Sequence, residues 1–225
     1  MEPTRPRLLG TGSLAALLVL APLAEVVETS LSPLTTSTTT ADLVAIRAHE
    51  SRFVLSVVFG LVGTFLLLPA VLGLAAVTVQ RTPWPSRIAA ACASVGLMGF
   101  AGIRLGQGVE LQGIRDGLPL PQVAGLLDHQ SGNPIGGPMV VLFLLGTVVG
   151  MIALAVAVWR AGLPRPAAVL IGAFPFADQG LEALGIAGGV LAHAMLLAGF
   201  SWVAASLVRD RPALRTTAVA VPIRP

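Results

Sequence analysis

Lysine is absent from this chain, cysteine occurs once, and charged residues make up only 11% of its 225 positions. Each shortage excludes something. With so few charges against 55% hydrophobic residues and a mean hydropathy of +0.85, the chain has too little polar surface to cover a water-soluble domain, and composition places it among membrane proteins. The lone Cys92 lies in an apolar run and allows neither an internal disulfide nor a thiolate metal cage. All 14 basic residues are arginine, spread along the chain, so the pI near 10.9 does not signal a nucleic-acid partner. Catalytic signatures are missing too. There is no Gly-x-Ser-x-Gly, no phosphate-binding glycine loop, no pair of intramembrane aspartates, and no His-x-x-x-His or Glu-x-x-His inside an apolar run. An enzyme, a cofactor and a metal therefore find no support in the sequence.

What the chain does contain is a series of long apolar segments. Pro138 to Val158 carries no charge and reaches ~31 Å as a helix, against a bilayer core of ~30 Å. Gly146, Gly150, Ala153 and Ala157 fall on one flank, where another helix can approach closely, so this span is expected at the centre of a bundle. Further spans are expected at 8–27, 53–79, 88–108, 166–180 and 184–208. The fold class is all-α, a polytopic transmembrane bundle of six spans in one membrane domain over 1–225, with outer loops 29–52 and 109–137 and a tail at 209–225.

Local signals refine this. Arg5 and Arg7 precede the first run as in a secretory signal peptide, but Pro22 stands where cleavage wants a small residue, so a retained helix is expected. Residues 29–40 read as a polar linker and Thr40 as the N-cap of a short helix to Glu50. Ser56, Gly60 and Thr64 share a face of the second span, and Pro69 predicts a kink in it. Residues 80–87 read as a turn, Gly99, Gly102 and Gly106 as a stripe for close helix contact, and 121–129 as a surface helix. The fifth segment has only a short apolar run before Asp178, ~16 Å as helix, so it crosses obliquely, stops short or is re-entrant, leaving Asp178 and Glu182 near an outer recess.

Six crossings put Arg5, Arg7, Arg81, Arg87, Arg160, Arg165, Arg209, Arg211, Arg215 and Arg224 on the side of the termini. Only Arg47, Arg52, Arg104 and Arg115 fall on the other side. The asymmetry places both termini in the cytoplasm of a cell-membrane protein, with Trp84, Trp159 and Trp202 near that interface.

Three strings, Leu68-Pro-Ala-Val-Leu-Gly-Leu74, Trp159-Arg-Ala-Gly-Leu-Pro-Arg165 and Ala192-His-Ala-Met-Leu-Leu-Ala-Gly-Phe-Ser-Trp202, carry a resemblance. Over roughly residues 40–208 the chain resembles six-span bacterial integral membrane proteins of a domain-of-unknown-function family. That resemblance implies the six-span fold and brings no activity, cofactor or site with it.

Every acidic residue except Glu2 and Asp210 falls toward the outer side, which fits either solvated helix ends or an external cation site. Arg104, inside the outer end of the third span, is expected to snorkel to the headgroups, the alternative being a buried pairing with Glu25 or Glu110. His193 is the residue to single out, because Glu182, Gly185 and Gly189 fall near it on the helical wheel and small residues favour a face turned into the bundle. It reads either as a proton relay, metal ligand or ligand-binding group below an acidic vestibule, or as a neutral imidazole bonded to a Ser, Thr or backbone carbonyl of a neighbouring helix. The candidate polar site is His193, Glu182, Asp178, Arg104 and Glu25.

The leading functional reading is a non-enzymatic accessory, sensing or partner-binding membrane component. The alternative is a small carrier with an outward-facing acidic vestibule leading to His193, its halves inverted, with Pro69 and Pro175 in the middle spans. An intramembrane enzyme would need polar side chains from several spans converging around His193. The expected partners are the lipid bilayer and a protein partner or second copy docking through the Gly/Ala stripes.

Overall fold

The computed structural model describes residues 10–34, 38–130, 134 and 136–209, except the side chains of Gln130 and Glu182. The regular elements in this range are helical: α1 Thr11–Leu31, α2 Thr39–Ala48, α3 Glu50–Thr78, α4 Pro83–Arg115, α5 Leu120–Gln130, α6 Gly136–Arg160, α7 Arg165–Gly180, a 3-10 turn Glu182–Leu184, and α8 Ile186–Arg209.

Local chemistry sets these boundaries. Thr38 Oγ1 accepts the Ala41 N–H at 3.2 Å and caps α2. The expected turn at 80–87 is shorter than its prolines suggested. Pro83 opens α4, because the first helical turn has no use for the missing N–H. At the far end of α4, Gly117 takes φ +72°, and Leu118 N–H bonds back to Gly113 O at 3.1 Å, closing a Schellman-type stop. Gly162, at φ +81°, ends α6 in the same way, with Leu163 N–H on Val158 O at 3.2 Å.

The bundle is a ring in chain order. α1 packs on α3, α3 on α4, α4 on α6, α6 on α7, α7 on α8, and α8 returns to α1. Neighbours run antiparallel around it: Gly60 meets Arg104, Gly96 meets Thr147, Gly172 meets Ala155, Gly199 meets Ala167, and Gly189 meets Thr29. Five helices, α1, α3, α4, α6 and α8, are long and apolar enough to cross a membrane. α7, with 16 residues, reaches only ~24 Å.

Within the ring, Leu18, Val71, Leu74, Met151, Leu154, Ile171, Leu196 and Phe200 are fully enclosed, while Phe65, Met98, Leu105 and Leu145 point outward. α2 and α5 lie outside it. They close over the adjoining ends of α3 and α4 through Leu43, Ile46, Phe53, Val123 and Ala124. Thr39 Oγ1 donates to Asp128 Oδ1 at 2.6 Å, and Arg115 makes a paired bond to Glu50 Oε1 at 2.7 and 2.8 Å.

Several expectations need correction. The span at 138–158 is not central: α6 is a wall of the ring and the least buried of the five long helices. Its glycines Gly146 and Gly150 serve one neighbour, α4, while Val141, Leu142 and Leu145 point outward. The contact on α4 is made at Ala93, Gly96 and Gly99. A Cβ on Gly146 would stand 2.6 Å from Gly96 N, whereas one on Gly102 would meet only Met139 Sδ at 3.9 Å. α1 continues through Thr29 and Ser30, which the linker at 29–40 had claimed, and Arg52 caps its last carbonyls by donating to Leu31 O at 2.8 Å and Ser30 O at 3.0 Å. Residues 8–9 of the expected first span and 210–225 of the tail lie outside the described residues.

Candidate functional site

On α1, Glu25, Glu28 and Thr29 stand at i, i+3 and i+4 and so share one face, turned into the bundle. Space for the two carboxylates comes from glycine on α3. A Cβ on Gly60 would lie 2.8 Å from Arg104 Cζ and 3.0 Å from Glu28 Cγ, and one on Gly63 would collide with the Glu25 carboxyl. Gly63 and Thr64 occupy the midpoint of α3, so this polar group sits ~20 Å from either end of that helix.

Arg104 reaches the slot from α4. Its Nη1 donates to Glu28 Oε1 at 2.5 Å, its Nη2 stands 3.6 Å from Glu25 Oε2, and its Cζ lies 4.5 Å over the Phe100 ring. All three charged residues are enclosed, Glu25 at 3%, Glu28 at 7% and Arg104 at 6% exposure. The expectation that Arg104 snorkels is therefore overturned. Two carboxylates lie within reach of its guanidinium, and a long side chain turns inward when its charge is met there. Thr64 adds its hydroxyl, 2.8 Å from Gly60 O and 3.4 Å from Glu25 Oε1.

From α8, His193 closes the chain of polar groups. Its Nδ1 lies 2.9 Å from Gly189 O and 3.4 Å from Thr29 Oγ1, and Thr29 Oγ1 lies 3.1 Å from Glu28 Oε2. A carbonyl oxygen only accepts, so Nδ1 carries the hydrogen and, in the neutral ring, Nε2 is the acceptor. This assignment denies Thr29 and His193 the roles of nucleophile and base, because the nitrogen facing the hydroxyl is already protonated. Phe174 of α7 packs edge-on against the imidazole, centroids 5.3 Å apart.

Beside this network lies a cavity of about 250 Å³ to which all six ring helices contribute. Its walls include Glu25, Leu67, Phe100, Arg104, Phe143, Thr147, Met151, Phe174, Asp178 and His193, mostly apolar with the charged groups on one side. Three buried polar atoms on this wall have no hydrogen-bond partner: Glu25 Oε2, Arg104 Nε and Thr147 Oγ1. Among the described residues no three His, Cys, Asp or Glu side chains gather as metal ligands would.

Of the residues singled out from sequence, Glu25, Arg104, Asp178 and His193 all line this one cavity. Glu182 belongs to the 3-10 turn rather than to the helix of His193, because Gly185 at φ +59° separates them and removes the shared helical face. Its side chain lies outside the described residues. Glu110 takes no part in the ion cluster. Sequence reasoning missed Glu28, Thr29 and Thr147 as members of the site. The i, i+3, i+4 spacing after Glu25 was the available signal, hidden by ending the first span at residue 27.

The fold and site together define a helical bundle of membrane-protein character with a charged cavity inside it. No family model matches the chain, and neither a curated protein nor a solved structure matches it.

Proposed function

We propose that this chain is a multi-pass protein of the cell membrane that binds a small, largely apolar molecule inside its helix ring and works as a carrier. The observation that carries this reading is the cavity reached by all six ring helices, with a buried Glu25–Arg104–Glu28 cluster on its wall. Charged groups are costly within a membrane and mark ligand or ion pathways. In this reading α7 is a sixth crossing, since it runs antiparallel to both α6 and α8. Both termini then face the cytoplasm. Arg81, Arg87, Arg160, Arg165 and Arg209 gather at that end, against Arg47, Arg52 and Arg115 at the other, in support of this orientation. The six-span family that the sequence resembles brings a fold to this reading and no activity.

The test is thiol access. In a Cys92→Ala background, Val148→Cys on the cavity wall is expected to react with N-ethylmaleimide in membranes, while Val158→Cys on the same helix, fully enclosed and off the cavity, stays silent. Equal silence at both positions would remove the cavity as a binding site.

A second reading, an accessory or sensing component, draws on the α2–α5 cap, where Val44 and Leu126 expose apolar side chains at 52% and 69%. Such a surface suits a protein partner. Vesicle uptake separates the two, because a sensor occupies the cavity without moving its ligand.

A further inference from the structure

The charges around the cavity do not balance. One guanidinium, Arg104, is shared by Glu25 and Glu28, and both carboxylates are almost wholly enclosed. Glu28 takes the close contact, at 2.5 Å, together with the nearby Thr29 hydroxyl. Glu25 keeps the distant one, and its Oε2 accepts no hydrogen bond. Facing Glu25 from α3 are only Gly63 and Thr64. Arg104 is the single charge from α4, Glu28 the charge on α1 itself, Asp178 the acid from α7, and His193 the titratable ring from α8. α6 contributes none to this wall. An enclosed carboxylate without a full counter-charge is costly to hold unless a proton or a cation neutralises it.

We propose that the cavity binds a lipophilic primary ammonium ion at Glu25 in exchange for one proton. The empty site holds Glu25 as a carboxylic acid. When the ammonium arrives, its N–H groups bond to Glu25 Oε2, the Glu25 proton leaves to water, and the net charge of the site is unchanged. This rests on the carrier reading above and names its ligand class.

Three observations choose an organic ammonium over other cations. The remaining wall is apolar and aromatic, with Phe100, Phe143 and Phe174 around it, which suits a hydrocarbon body. Metal-type clustering of acids or histidines is absent among the described residues, and a hard metal ion needs some six oxygen ligands. Thr147 Oγ1, a second unpartnered oxygen on the same wall, offers the ammonium another acceptor. Arg104 is already committed to two carboxylates, which argues against an anion. Asp178, half-exposed at the α7 end of the cavity, adds negative charge where a cation would approach.

The test uses the full chain in membranes with the Val148→Cys thiol as reporter and phenethylamine as probe. Its neutral and anionic counterparts, 2-phenylethanol and 3-phenylpropionate, serve as comparisons. Phenethylamine is expected to protect the thiol from maleimide at concentrations roughly tenfold or more below either counterpart, that is ~1.4 kcal/mol or more of preference. Between about pH 6 and 8, where an alkylammonium stays charged, its half-protecting concentration should fall about tenfold per pH unit, as release of one proton requires. Unsubstituted protein in weak buffer should release protons when phenethylamine is added, and not with 2-phenylethanol; this readout needs no variant to fold. Glu25→Gln should remove both the preference and the proton release. Glu28→Gln, which leaves one carboxylate for the guanidinium, should remove the release.

Equal protection by all three probes overturns the cation site, and stronger protection by 3-phenylpropionate assigns the cavity to anions through Arg104. Protection by phenethylamine that ignores pH overturns the exchange. A thiol that never reacts is a failure of the cavity itself, and so of the carrier reading rather than of its ligand class.

Discussion

At the scale of single residues, Arg104 is an enclosed arginine held by contacts on two sides. Its guanidinium lies over the Phe100 ring and its two Nη atoms reach two acidic side chains of α1. Removing it leaves the two enclosed acids of α1 with no cation, and breaking a buried ion group by removing one partner costs about 3–5 kcal/mol. Arg104→Met is therefore expected to lower the unfolding temperature sharply in detergent. The triple variant Arg104→Met with Glu25→Gln and Glu28→Gln should recover most of the loss. A triple variant as unstable as the single one would show that packing on Phe100, rather than charge, is what Arg104 provides. This part of the site was half legible in the sequence. Glu25, Arg104, Asp178 and His193 stood out because ionisable groups are few among so many apolar residues. Their mutual distances did not, because the rotation of each helix about its axis depends on contacts such as Gly60 against Arg104 and Gly63 against Glu25.

At the scale of the element, the α4–α6 pair shows what glycine does in this fold. Here the backbones approach until a methyl group has no room, at Gly96, Gly146 and Gly150. In lipid, where apolar surface gains little from leaving its surroundings, such close packing is what holds helices together. Gly146→Leu is expected to cost ~1–3 kcal/mol or more through overpacking, read as lost monodispersity in detergent or a lower unfolding temperature. Gly102→Leu, one turn beyond the contact, should be tolerated, because only Met139 Sδ stands near it. The reverse order of sensitivity would restore the glycine stripe read from sequence at Gly99, Gly102 and Gly106. The long helices themselves were legible, since their apolar runs are unbroken. Their ends shifted by several residues because polar residues such as Glu28, Thr29 and Glu110 continue helices that hydropathy alone stops.

At the scale of the whole molecule, the proposed orientation rests on arginine placed at helix ends. In the Cys92→Ala background, Leu118→Cys, exposed in the turn between α4 and α5, is expected to react with an impermeant maleimide in intact cells. Gln80→Cys, exposed in the turn between α3 and α4, should react only after permeabilisation. The opposite pattern would invert the orientation. The ring arrangement was not legible, because apolar periodicity says which helices are buried on one side and not which pairs close the circle.

Closure of that circle bears on how the protein is made. Five of the six contacts around the ring join helices that follow one another along the chain, and the sixth joins α8 back to α1. A ribosome delivers α1 well before α8, and it delivers Glu25 and Glu28 before their cation on α4. Until Arg104 arrives, Glu25 and Glu28 lack the cation that meets them in the folded ring. Until α8 arrives, the Thr29 edge of α1 stays uncovered. As the multi-pass protein proposed above, the chain would then have an assembly order, in which the acids of α1 wait for their cation on α4 and the ring around the cavity is completed only when α8 docks.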